Sequence, residues 1–409
     1  MSAQLRPSAD PPEHVPSGQG SRPAVTLPLT RHDLVAMRDL AAGKLASARG
    51  LAPLYLPARD PVGQQLTVRS GLDDPAEVGS IEHQQVLPVR DIDLGAEGSI
   101  TAPPLHAFSL EPARLITDAR GFAGFVTDRG SVIAEISEHY RGTRGDLTSF
   151  NRLQRYPRRR QRVGSVASLL TGGGGPQTYF HWLYDVLPRI ALLEQAGFVR
   201  EGDRYLVPRL DQRFMHETLE ILGIDPAGCV QLEGPTLLEA DRVAVSAGHR
   251  NYRRVESWIP QFLRDRLMTE QPQTGRRLYA NRRDTRVRNI LNEDHLEAAL
   301  VSRGFETVTL SSFSFGEKVR LFASADVVVA PHGAGLSHVA FCAPGASVVD
   351  IRDPAFYWPV FEDTARGVGA RYKTVDALSM VGWSRLPPRM RHVQADVDRI
   401  MDAVDAELS

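Results

Sequence analysis

The sequence predicts an α/β protein whose second half is a parallel, doubly wound sheet. Three observations carry that expectation. After residue 276, short β-branched runs alternate with helix-length segments: RLYAN (277–281), a helix from about 293, FETVTL (305–310), a helix over about 315–324, DVVVA (326–330), a short helix from about Gly335 to Cys342, and SVVDIR (347–352). Glycines such as Gly223 and Gly304 mark where helices stop. A tight PHGAG turn follows the apolar run 326–330, at the end of a strand where such sheets receive ligands.

Taken in order, residues 1–26 hold too few large apolar side chains to offset ordering entropy and read as a disordered tail. RHDLVAMRDLAAGKLASARG reads as a helix ending at Gly50. From about 84 to 138 the text is strand-like, with Arg129-Gly130 placed as a hairpin turn. Alternation of strand and helix begins near residue 163. Strands are expected at 204–208 and 242–246, with a helix between them capped by Asp211 and closed by Gly223. VESWIPQFLRDRLM reads as a helix leading into the polar linker TEQPQTG (269–275), which divides a domain over 27–270 from one over 276–380. Asn292 is a natural N-cap for the helix near 293. The segment 391–408 ends in a separate helix over 395–408 that is expected to pack back across the domains.

At 409 residues the chain exceeds one ordinary core, and its net charge of −1 gives no general pull toward nucleic acid or anionic membrane. It contains no run of about 18 apolar residues to cross a bilayer, and it does not begin with the basic-then-apolar order of a secretory signal. Cys229 and Cys342 make neither a disulfide framework nor a zinc cluster; they suit a reducing cytosol, so a cytoplasmic location is expected. Nearly every basic residue is arginine, the exceptions being Lys44, Lys318 and Lys373, so single arginines need positional support before they count. The arginine run 141–162 could hold an anionic polymer or lie against a membrane surface, which leaves peripheral membrane association open. A solvated loop is the plainer reading, because only Phe150 and Tyr156 interleave it, and no nucleic-acid partner is expected. The glycines 172–175 lack the Lys-Ser/Thr ending of a phosphate loop.

Two clusters can carry chemistry. On a helical wheel over 181–193, Leu183, Val186, Leu187, Ile190 and Leu193 share one side, while His181 and Asp185 share the other. Their i,i+4 spacing lets the carboxylate hold the imidazole in one tautomer, and Pro188 should kink or restart the helix. The plainer reading is an amphipathic helix with a polar face. The second cluster lies on one edge of the expected sheet: RRDTRVR (282–288), PHGAG (331–335), and Asp350 with Arg352. The Gly333–Gly335 turn, through Ala334, would bring backbone N–H groups close to a diphosphate at a helix start. Arginines would add forked hydrogen bonds, His332 could donate to phosphate, and Asp350 could accept from a ribose diol. The plainer readings are a tight turn, surface arginines and a strand-end acid.

YFHWLYDVLPRI (179–190), NRRDTRVRNILNE (281–293), FGEKVRLFASADVVVAPHGAGLSHVAF (315–341) and PGASVVDI (344–351), in this order, resemble glycosyltransferase family 61 over about residues 90–380. That family includes bacterial capsular-polysaccharide biosynthesis proteins, plant xylosyl- and arabinosyltransferases and animal O-linked N-acetylglucosaminyltransferases. The resemblance implies a GT-B-like enzyme: two Rossmann-type domains with a cleft between them, here with a β-rich N-terminal subdomain and the tail. It implies inverting transfer without a metal or other cofactor, from a nucleotide-sugar donor, expected to be a UDP-sugar, to a glycan or polysaccharide hydroxyl. Residues 27–270 would be the acceptor side and 276–380 the nucleotide-sugar side. Arg282 and Arg288 stand where the family's paired arginines stand, with Asn292 and Glu293 as its Asn-Glu; His332, Gly333, Ala334 and Gly335 reproduce its glycine loop, and His181 and Asp185 its first-domain motif. Thr178 replaces a frequent asparagine and Asp350 a glutamate, which shortens the reach to a ribose. His181 or Asp185 would act as base, with the two unranked. A non-catalytic nucleotide- or carbohydrate-binding protein of polysaccharide assembly is the alternative. A metal-dependent hydrolase using His332, His338 and Asp350 is weaker, because a spacing of six is not a helical zinc pair.

Overall fold

The first sheet is mixed: a parallel part, whose strands are joined largely through helices, lies beside an antiparallel part. A computed structural model of the chain describes residues 68–69, 80–88, 90–93, 98–102, 104–117, 123–126, 132–133, 136–137, 159–171, 179–249, 254–356, 358–379, 387 and 390–409. The expected tail, the helix ending at Gly50, the Arg129-Gly130 turn, Thr178, the glycines 172–175 and the arginine run as far as 158 lie outside the described residues. All described residues belong to one compact unit, and the α/β class is the one expected. Among them, no helix is long and apolar enough to cross a membrane.

The first sheet contains β1 (Ser80–Leu87), β2 (Leu105–Glu111), β3 (Ala113–Thr117), β4 (Gly124–Phe125), β5 (Arg159–Ser168), β6 (Arg204–Val207), β7 (Val230–Gln231) and β8 (Thr236–Ser246). Its strands run β7-β6-β5-β8-β2-β1, with β3 pairing β8 and β4. The four strands β7, β6, β5 and β8 are parallel, and β1, β2 and β3 pair antiparallel. Helices α1 (Pro188–Gln195) and α2 (Arg213–Ile221) connect β5 to β6 and β6 to β7. The chain steps outward from β5 and then returns to place β8 on its other side. The strand order therefore reverses at β5, and the carboxyl end of that strand is a topological switch point. The segment carrying His181 follows that end.

Helix α3 (Trp258–Leu267) precedes the second sheet, which is wholly parallel: β9 (Arg276–Asn281), β10 (Glu306–Thr309), β11 (Ala325–Pro331), β12 (Ser347–Arg352) and β13 (Arg371–Asp376), in the order β10-β9-β11-β12-β13. Its connecting helices include α4 (Glu293–Val301), α5 (Phe315–Ala323) and α6 (Val360–Gly367). The order 2-1-3-4-5 reverses between β9 and β11, so loops 282–288 and 332–335 flank that switch point. Side chains alternate between two cores. Leu278, Ala280, Val328 and Val348 join a cluster running through the 183–193 segment to Ala167, Val207 and Ala244 of the first sheet. Tyr279, Val327, Val329 and Val349 face α4 and α7 (Val397–Leu408), where Leu296, Ile400 and Val404 pack.

Several local expectations are corrected. Asp211 does not cap α2; its carboxylate takes a fork from Arg209, and the helix starts after Gln212. Asn292 occupies the N-cap position of α4 but bonds both backbone groups of Ala395 instead of the helix. The helix after the glycine turn is a 3-10 helix, Ala334–Phe341. The terminal helix lies on the second sheet, tied by Glu407 to Ser347 and by Asp405 to Arg303.

Candidate functional site

His181 and Asp185 meet as their spacing predicts. Nδ1 of His181 donates to Oδ2 of Asp185 at 2.5 Å, with side chains 14% and 10% exposed, so the pair is sheltered rather than on a solvated face. Pro188 explains the local backbone. It has no N–H for the carbonyl of Tyr184 and its ring crowds that turn, so residues Trp182–Val186 widen into a π-helix, closed by Leu187 N–H on the Trp182 carbonyl at 3.1 Å, before α1 starts at Pro188. Buried carbonyls displaced from the α pattern need other donors. His249 Nε2 donates to the Tyr184 carbonyl at 2.8 Å, and Arg189 Nε to the Asp185 carbonyl at 3.1 Å. Arg189 also donates to the Ser246 carbonyl at 2.9 Å. Neither Arg189 nor His249 was singled out from sequence, although an arginine inside LPRIALL was a visible anomaly.

On the second sheet, Arg282 and Arg288 converge. Arg282 is 8% exposed, and the Nε of each guanidinium is buried without a hydrogen-bond partner among the described residues. Burial lowers the pKa of Arg282. It also lowers Arg288, to about 10, helped by the Arg282 charge and opposed by Asp350. The loop is rigidly built: Asn289 donates to the Arg282 carbonyl at 2.8 Å, and Glu293, held by the Tyr279 hydroxyl at 2.9 Å, receives the Arg282 N–H at 3.5 Å. Arg288 sits at φ 58°, a left-handed conformation unfavourable for a long side chain, with its guanidinium 5.3 Å from the Phe356 ring centre. Gly333 has a direct steric purpose. A Cβ there would stand 1.8 Å from Arg282 Nη1, so the glycine admits the guanidinium against the turn.

His332 and Asp350 form a buried pair. His332 Nδ1 donates to Asp350 Oδ2 at 2.7 Å, the same oxygen accepts from the Tyr372 hydroxyl at 2.8 Å, and Asp350 is 0% exposed. Such a carboxylate orients an imidazole and is closed to a sugar in this conformation. Phe361 lies between the two clusters, with its ring 5.2 Å from His332 and 5.6 Å from Phe180.

A cavity of ≈ 240 Å³ opens at the switch point, lined by Arg282, Asp284, Ala334 and Gly335 from the second-sheet loops, by Lys318 of α5 and by Tyr179 from the first half. His181, Asp185, Arg288, His332 and Asp350 are not among its lining, so the structure brings the expected residues into neighbouring clusters rather than around one hollow. The Tyr179 hydroxyl bonds His338 Nε2 at 2.7 Å, and the Tyr184 hydroxyl donates to the Ser337 carbonyl at 2.8 Å, so the His181 segment is fastened to the helix that follows the glycine turn.

Two comparisons with known proteins bear on this site. The model of the family described as Glycosyltransferase 61 matches residues 179–349, from the first aromatic of the His181 segment to the last sheet strand but one. The EGF domain-specific O-linked N-acetylglucosamine transferase of Drosophila melanogaster is 30% identical over 129 residues, covering 30% of this chain and 24% of that protein's length. Both comparisons support glycosyl transfer, and the stretch from Tyr179 to Val349 is similar to the glycosyltransferase 61 family.

Proposed function

We propose that this protein is an inverting glycosyltransferase that moves a sugar from a nucleoside diphosphate, UDP in the first instance, to a hydroxyl of a glycan or polysaccharide in the cytoplasm. One observation carries the reading: Arg282 and Arg288 are held largely out of water at a topological switch point, with no carboxylate in ion-pair contact among the described residues. A buried cation without a counter-ion is costly, and a diphosphate removes that cost by supplying charge and acceptors together.

In the proposed reaction the acceptor oxygen attacks the anomeric carbon opposite the leaving diphosphate. The C–O bond to phosphate breaks and its electron pair stays on the diphosphate. Arg282 and Arg288 stabilise that charge, with the 333–335 turn and His332 beside them. His181 takes the acceptor proton. Its Nδ1–H is committed to Asp185, which leaves Nε2 as the basic nitrogen and makes Asp185 the stabiliser of the resulting imidazolium. Asp350 acts by fixing His332. The two doubly wound sheets would close on donor and acceptor as in a GT-B enzyme, excluding the water that otherwise hydrolyses the donor.

The test pairs titration calorimetry against UDP with a transfer assay. His181→Ala and Asp185→Asn should cut turnover by roughly 10²–10⁴-fold while UDP affinity stays nearly intact. Arg282→Ala should weaken UDP binding. Loss of nucleotide binding in the His181 and Asp185 variants would refute this division of labour.

A further inference from the structure

The cavity wall carries a second cation besides Arg282, the ammonium of Lys318. Lys318 is the fourth residue of α5, a helix start where the peptide dipoles disfavour a cation. It is half-buried, and among the described residues its ammonium has no ion-pair or hydrogen-bond partner. Its nitrogen instead lies 5.3 Å from the centre of the Tyr179 ring. That ring is itself fixed, by the 2.7 Å bond to His338 and by Phe214 with ring centres 4.5 Å apart. Burial lowers the lysine's pKa, while Glu217 and Asp284 oppose the shift. A long, flexible side chain is thus held at the wrong end of a helix by an aromatic face, on the wall of a cavity that also contains the buried Arg282.

We propose that Lys318, positioned by Tyr179, is a further binding residue for the donor's diphosphate, which enters the cavity between this ammonium and the Arg282 guanidinium. The inference rests on the donor reading above and adds a contact from the helix side of the switch point. Arg282 supplies directional N–H groups, and Lys318 supplies a compact charge that can follow the phosphate as it leaves. Asp284, at the exposed rim with one oxygen on the Ser311 N–H at 3.1 Å, keeps the cavity mouth polar where the nucleoside would emerge.

The experiment is titration calorimetry on the full chain, using whichever of UDP, GDP, CDP and dTDP wild type binds most tightly, with inorganic pyrophosphate as a second ligand. Lys318→Met and Lys318→Gln should each weaken the nucleoside diphosphate by about ten-fold or more, and Lys318→Arg should remain within about three-fold of wild type. Thermal melts of the ligand-free proteins establish that each variant is folded; if the Met variant is not, the Gln and Arg variants carry the comparison. Unchanged binding in the Met and Gln variants, with wild type binding normally, overturns the role of Lys318 and leaves the donor reading intact. A loss confined to the nucleoside diphosphate, with pyrophosphate bound as before, moves Lys318 to the nucleoside and also overturns the assignment. Absence of binding by wild type to all four diphosphates removes the donor reading, and this inference with it.

Discussion

The 179–195 segment and the second-sheet loops both lie beyond the carboxyl ends of parallel strands, yet they treat their charges in opposite ways. In the first, the charged and polar side chains are largely matched: His181 with Asp185, Arg189 with Ser246, His249 through Nε2 with the Tyr184 carbonyl, Tyr184 with Ser337. In the second, Arg282 and Arg288 crowd together with Nε atoms unsatisfied among the described residues, and there Lys318 meets an aromatic face rather than an ion-pair partner. A matched cluster holds a proton in a fixed place; an unmatched cationic one waits for an anion. The difference teaches how labour is divided within one compact unit, and it predicts that the two regions fail differently when altered.

The largest effect that sharpens the contrast is at Gly333. Gly333→Ala places a methyl 1.8 Å from Arg282 Nη1, and the guanidinium, as the far end of a flexible side chain, must swing away. Nucleotide affinity should fall as far as in Arg282→Ala, by roughly ten-fold or more, while the melting temperature changes little. Calorimetry and a melt on the same sample check this. A large loss of stability with binding retained would mean that the turn, rather than the arginine, needs the glycine.

Next comes a stability effect confined to the matched region. His249→Phe keeps an aromatic ring near Trp258 but strips the Tyr184 carbonyl of its donor, in a turn where Pro188 cannot supply one. Leaving that buried acceptor bare should cost about 1–3 kcal/mol, read by denaturant unfolding. The unmatched region should respond with the opposite sign. Arg288→Asn removes a crowded cation and places at φ 58° a residue that tolerates the left-handed region. The ligand-free protein should gain about 1 kcal/mol while nucleotide-induced stabilisation shrinks. A destabilised Arg288→Asn protein would show that the two regions do not differ in this way.

How much of this was legible in the sequence follows from the same contrast. The second sheet could be read because its strands are short apolar runs separated by helix-length segments, and the Ser314–Glu317 capping box at the start of α5 shows that local signals agree with the fold there. The His181–Asp185 contact was legible because four residues make one turn, and Pro188 announced the break that became a π-turn. What could not be read depended on distance along the chain. Asp350 meets His332 and Tyr372 only through strand register, and Tyr179 meets His338 and Lys318 across about 140–160 positions. Asn292 looks like a cap in isolation but finds its partners in both backbone groups of Ala395, 103 positions away. Local propensity yields where a tertiary contact offers the same hydrogen bonds at a buried place.

The smallest expected effect lies at the junction between the two regions. Burial first, and the Lys318 charge second, push the His338 imidazole well below its usual range, so the native state keeps it neutral and Nε2 accepts from the Tyr179 hydroxyl. The unfolded chain titrates this group near its unperturbed value of about 6.5. Above that pH both states are neutral and the residue adds no pH dependence. As pH falls below it, the unfolded state binds a proton that the native state refuses, so stability declines until the native pKa is reached, by at most about 1.4 kcal/mol per unit. Melts at pH 7.5 and 5.5 should therefore show wild type losing more stability than His338→Gln. Equal losses would place a proton on the native imidazole, reverse the direction of the Tyr179 bond, and set two cations, rather than Lys318 alone, against the Tyr179 ring.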